Sequence, residues 1–187
     1  MPNVESFAGT ASGGGVNDNI LEDNGIVVRI RDGQTQTLSD FDNKTLSIPS
    51  GATIDGIEVI LDTADNGGNG ENNTGAWIKV NNGSSDSSAK LTTAGNAWDT
   101  NFTDGTDIRI AGGTTDLWGL SWTPSTAEGI SVIMGWTSTA GSAFYSNYVK
   151  VKVYYTEGAT PTTYNNSSDE QIISKNTVFV STGLIEF

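Results

Sequence analysis

Cysteine and histidine are both absent from this chain of 187 residues. Without thiols there are no disulfides, and the compartment is not signalled by cysteine usage. The usual Cys/His zinc centres are excluded. So are Ser-His-Asp and Cys-His nucleophiles and acid–base work by imidazole. Cations are scarce as well: nine Lys and Arg stand against 22 Asp and Glu, a formal net charge of −13. Such a surface repels phosphate backbones and anionic headgroups, so neither nucleic acid nor membrane is expected as a partner. No apolar run is long enough to span a bilayer, and no basic start leads into an apolar stretch. The chain is therefore expected to be made without a classical export signal.

Hydrophobic residues make up 35% of the chain, and no long helical apolar pattern occurs. What is abundant is turn chemistry, from Gly, Ser, Thr, Asn and Asp. Between these residues lie short runs of period two, the spacing that gives an extended chain one dry and one wet face. Many short strands joined by polar loops imply an all-β antiparallel sandwich.

The clearest stretch is Ser47–Asp62. Pro49 lacks an N–H, so a strand arriving there should stop, and Ser50-Gly51 should turn. Ile57, Val59 and Leu61 then face one way and Glu58 and Asp62 the other, with Ile60 as the exception. Further strands are expected at Gly25–Arg31, Ala76–Val80, Asp107–Ile110, Gly129–Trp136 and Phe144–Tyr155. In the last, Val149, Val151, Val153 and Tyr155 alternate with Tyr148, Lys150, Lys152 and Tyr154. Leu38, Phe41, Leu46 and Ile48 mark a second apolar patch.

Three regions follow from these signals. Residues 1–24 read as an irregular N-terminal arm anchored by Phe7, Val16 and Ile20. Residues 25–157 hold the β-sandwich. Residues 158–187 read as a linker and a docking extension, because Val178, Val180, Leu184, Ile185 and Phe187 need burial against a body or another copy. The loop after Asp62 carries oxygens from Asp62, Asp65, Asn69 and Glu71 that could hold Ca²⁺. Their spacing departs from the EF-hand pattern, so a solvated loop is expected, with no metal and no cofactor. Trp118 and Trp122, in an aromatic cluster, and Trp136 are either core walls or sugar-stacking faces. Nearly every Asp sits in a Gly/Asn-rich turn, which explains it without catalysis, so the chain is not expected to be an enzyme.

Three segments together carry a resemblance. They are Leu46-Ser47-Ile48-Pro49-Ser50-Gly51-Ala52-Thr53-Ile54-Asp55-Gly56-Ile57-Glu58-Val59, Thr114-Thr115-Asp116-Leu117-Trp118-Gly119-Leu120-Ser121-Trp122-Thr123-Pro124, and Tyr148-Val149-Lys150-Val151-Lys152-Val153-Tyr154-Tyr155-Thr156. In order and spacing they resemble a module of bacteriophage virion proteins, across about Gly25 to Thr156. The resemblance implies a jelly-roll-like sandwich in a capsid decoration (cement) protein at the virion surface. Its partners would be its own copies, as a trimer, and the major capsid protein. A tail or head fibre touching the host is a second reading, and a carbohydrate-binding sandwich is a third.

Overall fold

The structure, a computed structural model, describes residues 1–13, 21–23, 28–31, 33–41, 46–65, 76–91, 108–136 and 143–158. Among them the strands are β1 (Asn3–Phe7), β2 (Thr10–Gly13), β3 (Val28–Arg31), β4 (Thr35–Ser39), β5 (Thr53–Asp65), β6 (Ala76–Asn81), β7 (Lys90–Leu91), β8 (Ile108–Gly113), β9 (Ser131–Trp136) and β10 (Ala143–Thr156). A single turn of helix, α1 (Pro124–Glu128), precedes β9.

The strands form two antiparallel sheets. One runs β1-β10-β5-β8, with β3 also on β10; the other runs β2-β4-β9-β6-β7. Leaving out β1 and β2, the eight strands β3 to β10 wrap in a regular order. The first, eighth, third and sixth share one sheet, and the second, seventh, fourth and fifth share the other. That is jelly-roll wrapping, so the all-β sandwich expected from the sequence is the observed fold.

Period-two sidedness builds the core as anticipated. Ile57, Val59 and Leu61 of β5 and Val149, Val151 and Val153 of β10 point inward from the first sheet. Leu38, Ile78, Val80, Val132 and Met134 answer them from the second. Phe41, Leu46 and Ile48 close the same core. Pro49 ends the incoming chain, and the turn is fastened where the Ala52 N–H donates to the Pro49 carbonyl at 2.9 Å. One polar group is out of place in this interior. Gln36 of β4 is fully buried opposite Met134, and neither its amide oxygen nor its nitrogen has a hydrogen-bond partner among the described residues. Such a group costs about 1–3 kcal/mol of desolvation.

Two expectations need correction. Within the segment read as an irregular arm, Asn3–Phe7 and Thr10–Gly13 are strands. β1 pairs with the central strand β10 from Asn3↔Tyr154 to Phe7↔Lys150, and β2 extends the opposite sheet beside β4. Its inward side chain at Ser6 is polar, which hides the pattern; burial is satisfied because the Ser6 hydroxyl donates to the Phe41 carbonyl at 2.8 Å. Asp62, expected on the wet face, is fully buried. A β-bulge between Ser146 and Tyr148 sets the extra residue Asn147 beside it, and bulges re-aim side chains in this way.

In β8, Arg109 shares the inner side with Leu61, and Ile110 shares the outer side with Ile60. The short helix α1 is not anticipated from the sequence. Thr123 caps it with a reciprocal pair of hydrogen bonds to Thr126, and Pro124 takes its first turn, the positions both residues favour.

Candidate interaction surface

The register of the first sheet fixes four rows of side chains on its outer face. Asn3, Tyr154 and Gly56 form the first; Glu5, Lys152 and Glu58 the second; Phe7, Lys150, Ile60 and Ile110 the third; Tyr148, Asp62 and Ile108 the fourth. The second row alternates in charge, negative, positive, negative. At its side the Tyr154 hydroxyl donates to Glu58 Oε2 at 2.9 Å. Burial and that carboxylate push the Tyr154 phenol above its ordinary pKa.

The third row is mainly apolar. Phe7 meets the Tyr148 ring edge-on at 5.5 Å, and Lys150 Nζ lies 4.4 Å from the Phe7 ring centroid. The ammonium stem thus covers the aromatic end of the row. The other end is bare. Ile110 is 61% exposed and Ile108 38% exposed. Both stand on β8, which pairs with β5 on one side and with no strand on the other among the described residues. An edge strand with exposed β-branched side chains offers backbone N–H and C=O groups together with apolar area.

Immediately after β8 the chain crosses to the other sheet through a tightly tied corner, Gly112–Thr123. Gly112 has φ +91°, and a Cβ there would lie 2.1 Å from the Ile57 carbonyl oxygen. That close approach lets the Trp118 indole N–H donate to the Ile57 carbonyl at 3.0 Å. The Ile57 N–H donates to the Asp116 carbonyl at 3.0 Å, and the Trp118 N–H to Asp116 Oδ1 at 2.8 Å. Trp118 adopts φ +59°, a left-handed conformation that a bulky residue takes only when its surroundings compel it.

Lys90 completes the corner from the opposite sheet. Its Nζ lies 2.6 Å from Asp116 Oδ2 and 4.8 Å from the Trp118 ring centroid. Burial alone would raise the Asp116 pKa. The hydrogen bonds from Lys90 and from the Trp118 backbone, with the Lys90 charge, outweigh it and hold the carboxyl below its usual range.

These contacts decide the tryptophan question for Trp118. It is 4% exposed and its ring is covered by Lys90, so it is a core wall and not a stacking face. Trp122 is half-buried against the core, its indole N–H donating to the Leu117 carbonyl at 2.9 Å. Trp136 is described by backbone alone, in β9. Trp77, not singled out from the sequence, lies on the outer face of the second sheet. A Cβ on Gly135 would come within 2.2 Å of its ring, so the indole rests on the bare backbone of β9. Lys79 Nζ sits 5.6 Å from the ring centroid. Its alternation with the buried Ile78 and Val80 was the available signal.

Of the residues suggested for Ca²⁺, Asp62 accepts from the Asn147 amide at 3.4 Å, and that amide also donates to Asp23 Oδ1 at 2.9 Å. Asp65 is described by backbone alone, and Asn69 and Glu71 lie outside the described residues. Of the anchoring residues, Phe7 is placed in β1 as above. Val16, Ile20, Val178, Val180, Leu184, Ile185 and Phe187 lie outside the described residues.

The three segments that carried the resemblance converge. The first becomes the approach to β5 and its first half, the second the corner, and the third the inner half of β10. They meet through the Ile57–Asp116 and Trp118–Ile57 hydrogen bonds and through pairs such as Val59↔Val151. Neither a protein-family model nor a characterised protein matches the chain.

Proposed function

We propose that this chain is a structural protein of a bacteriophage particle, a decoration subunit that binds the outside of the capsid as an oligomer. The observation that carries the reading is the open edge of β8. Ile108 and Ile110 expose apolar surface there, on a jelly roll whose net charge of −13 otherwise keeps copies apart. A strand edge of this kind is a recognition element: backbone pairing supplies affinity, and alternate side chains supply specificity. The convergence of the three resembling segments on one end of the sandwich supports the same assignment.

In this reading residues 171–187, with Val178, Val180, Leu184, Ile185 and Phe187, anchor the subunit to its neighbours, and the acidic sandwich faces solvent. Co-sedimentation of purified protein with undecorated capsids, with the mass of the free protein measured by light scattering, tests it. Saturable binding of an oligomer is expected, lost on removal of residues 171–187. Equal binding by the truncated protein would end the anchoring role. A monomer that ignores capsids would end the decoration reading.

A further inference from the structure

The surface that receives the anchoring segment can be assigned. We propose that the segment around Val178-Phe179-Val180 of one copy adds as a strand to the open edge of β8 in the next copy, with Val178 and Val180 beside Ile108 and Ile110. The assignment rests on the anchoring role proposed above and names its partner surface.

Three observations carry it. First, Ile110 keeps 61% of its surface and β8 has no outer neighbour among the described residues, which leaves this edge open to a second copy. Second, charge selects the donor. Residues 171–187 hold one cation, Lys175, and one anion, Glu186, so this segment is neutral on a chain of net charge −13. Contact between two acidic bodies is opposed by repulsion, and a neutral segment is not. Its Thr177-Val178-Phe179-Val180-Ser181 run is also rich in residues that suit a pleated surface.

Third, reach allows it. The described chain leaves the sandwich at Gly158, packed against Gly51 at the end of the first sheet where β8 also ends. Twenty residues from there to Val178 span up to about 66 Å when extended. A body of this size has a radius of gyration of about 15 Å. Because donor and acceptor differ, each copy passes a strand to the next, and three copies can close a ring.

Complementation between two full-length variants tests the idea. Ile110→Lys removes the acceptor and keeps the donor; Val178→Asp/Val180→Asp does the reverse. Each alone is expected to scatter as a single chain of 19.6 kDa. Mixed in equal amounts they should form a pair of twice that mass, since one intact donor meets one intact acceptor and no ring can close. Ile108→Lys is the second acceptor variant, and an unchanged unfolding transition confirms that each variant is folded.

If Ile110→Lys and Ile108→Lys keep the wild-type mass while the Val178/Val180 variant is monomeric, the edge of β8 is not the acceptor, and the anchoring role stands. If the Val178/Val180 variant stays assembled while Ile110→Lys falls apart, copies join edge to edge and both assignments fail. Two monomeric variants that do not pair on mixing would show that the two surfaces never meet. A wild-type monomer would overturn the assembly altogether.

Discussion

β8 and the corner that follows it are neighbours in the chain and opposites in construction. Between Gly112 and Thr123 the corner is tied to β5 through Ile57 and to β7 through Lys90, and a strained Trp118 is held by three separate contacts. From Ile108 to Ile110, two large apolar side chains are exposed on a strand with no outer neighbour among the described residues. The corner holds the sheets together from within. The edge contributes little to its own chain and offers its surface outward. Strain and satisfaction gather where the fold is determined, and bare apolar area lies at the margin of a sheet.

The difference can be attacked from the corner first. Trp118→Ala should cost about 3–5 kcal/mol by urea unfolding: loss of a buried indole is severe, and alanine, which keeps a Cβ, brings no relief at a left-handed φ. A loss below 1 kcal/mol would mean that the corner is ornamental. Gly112→Ala should cost about 2–3 kcal/mol, because its Cβ meets the Ile57 carbonyl and its φ disfavours a side chain. The reference lies in the interior, away from both regions: Gln36→Met should raise stability by about 1 kcal/mol, by removing an amide with no partner among the described residues.

Asp116→Asn should cost about 1 kcal/mol or less near neutrality, as a partly solvated ion pair would. The sign with pH follows from its lowered pKa in the fold. The contribution is present above the ordinary carboxylate pKa and disappears as pH falls below about 4, through the depressed value. Wild type and variant should therefore converge in acid; a gap that widens there would contradict the ion pair. The smallest effect is expected at the edge: Ile110→Lys should change the stability of the isolated fold by about 0.5 kcal/mol at most. A large loss would mean that Ile110 belongs to its own chain's core.

Much of the sandwich was legible because its strands obey period two: Val149, Val151 and Val153, then Ile57, Val59 and Leu61, announce the inner faces directly. The apolar set Leu38, Phe41, Leu46 and Ile48 was equally plain. The first two strands were hidden because Asn3–Phe7 turns a serine inward, and hydrogen bonds such as that to the Phe41 carbonyl make this tolerable. The burial of Asp62 depends on a bulge in a strand 85 residues away, which no local pattern encodes. For β8, alternation revealed a strand but could not say which side faced in, since that is set by its pairing with β5. The open edge, and with it the candidate surface, depends on which strand lies at the margin of a sheet, and periodicity is silent about neighbours.

The position of β10 has a consequence for how the molecule is made. It is the axle of its sheet, pairing with β1, β3 and β5, all synthesised before it. Until residue 156 leaves the ribosome, β1 and β3 have no partner among the described strands and β5 has only β8. Contacts of such long sequence separation are slow to close. The sheet is therefore zipped at a late moment of synthesis, and nascent chains halted earlier should remain sensitive to protease.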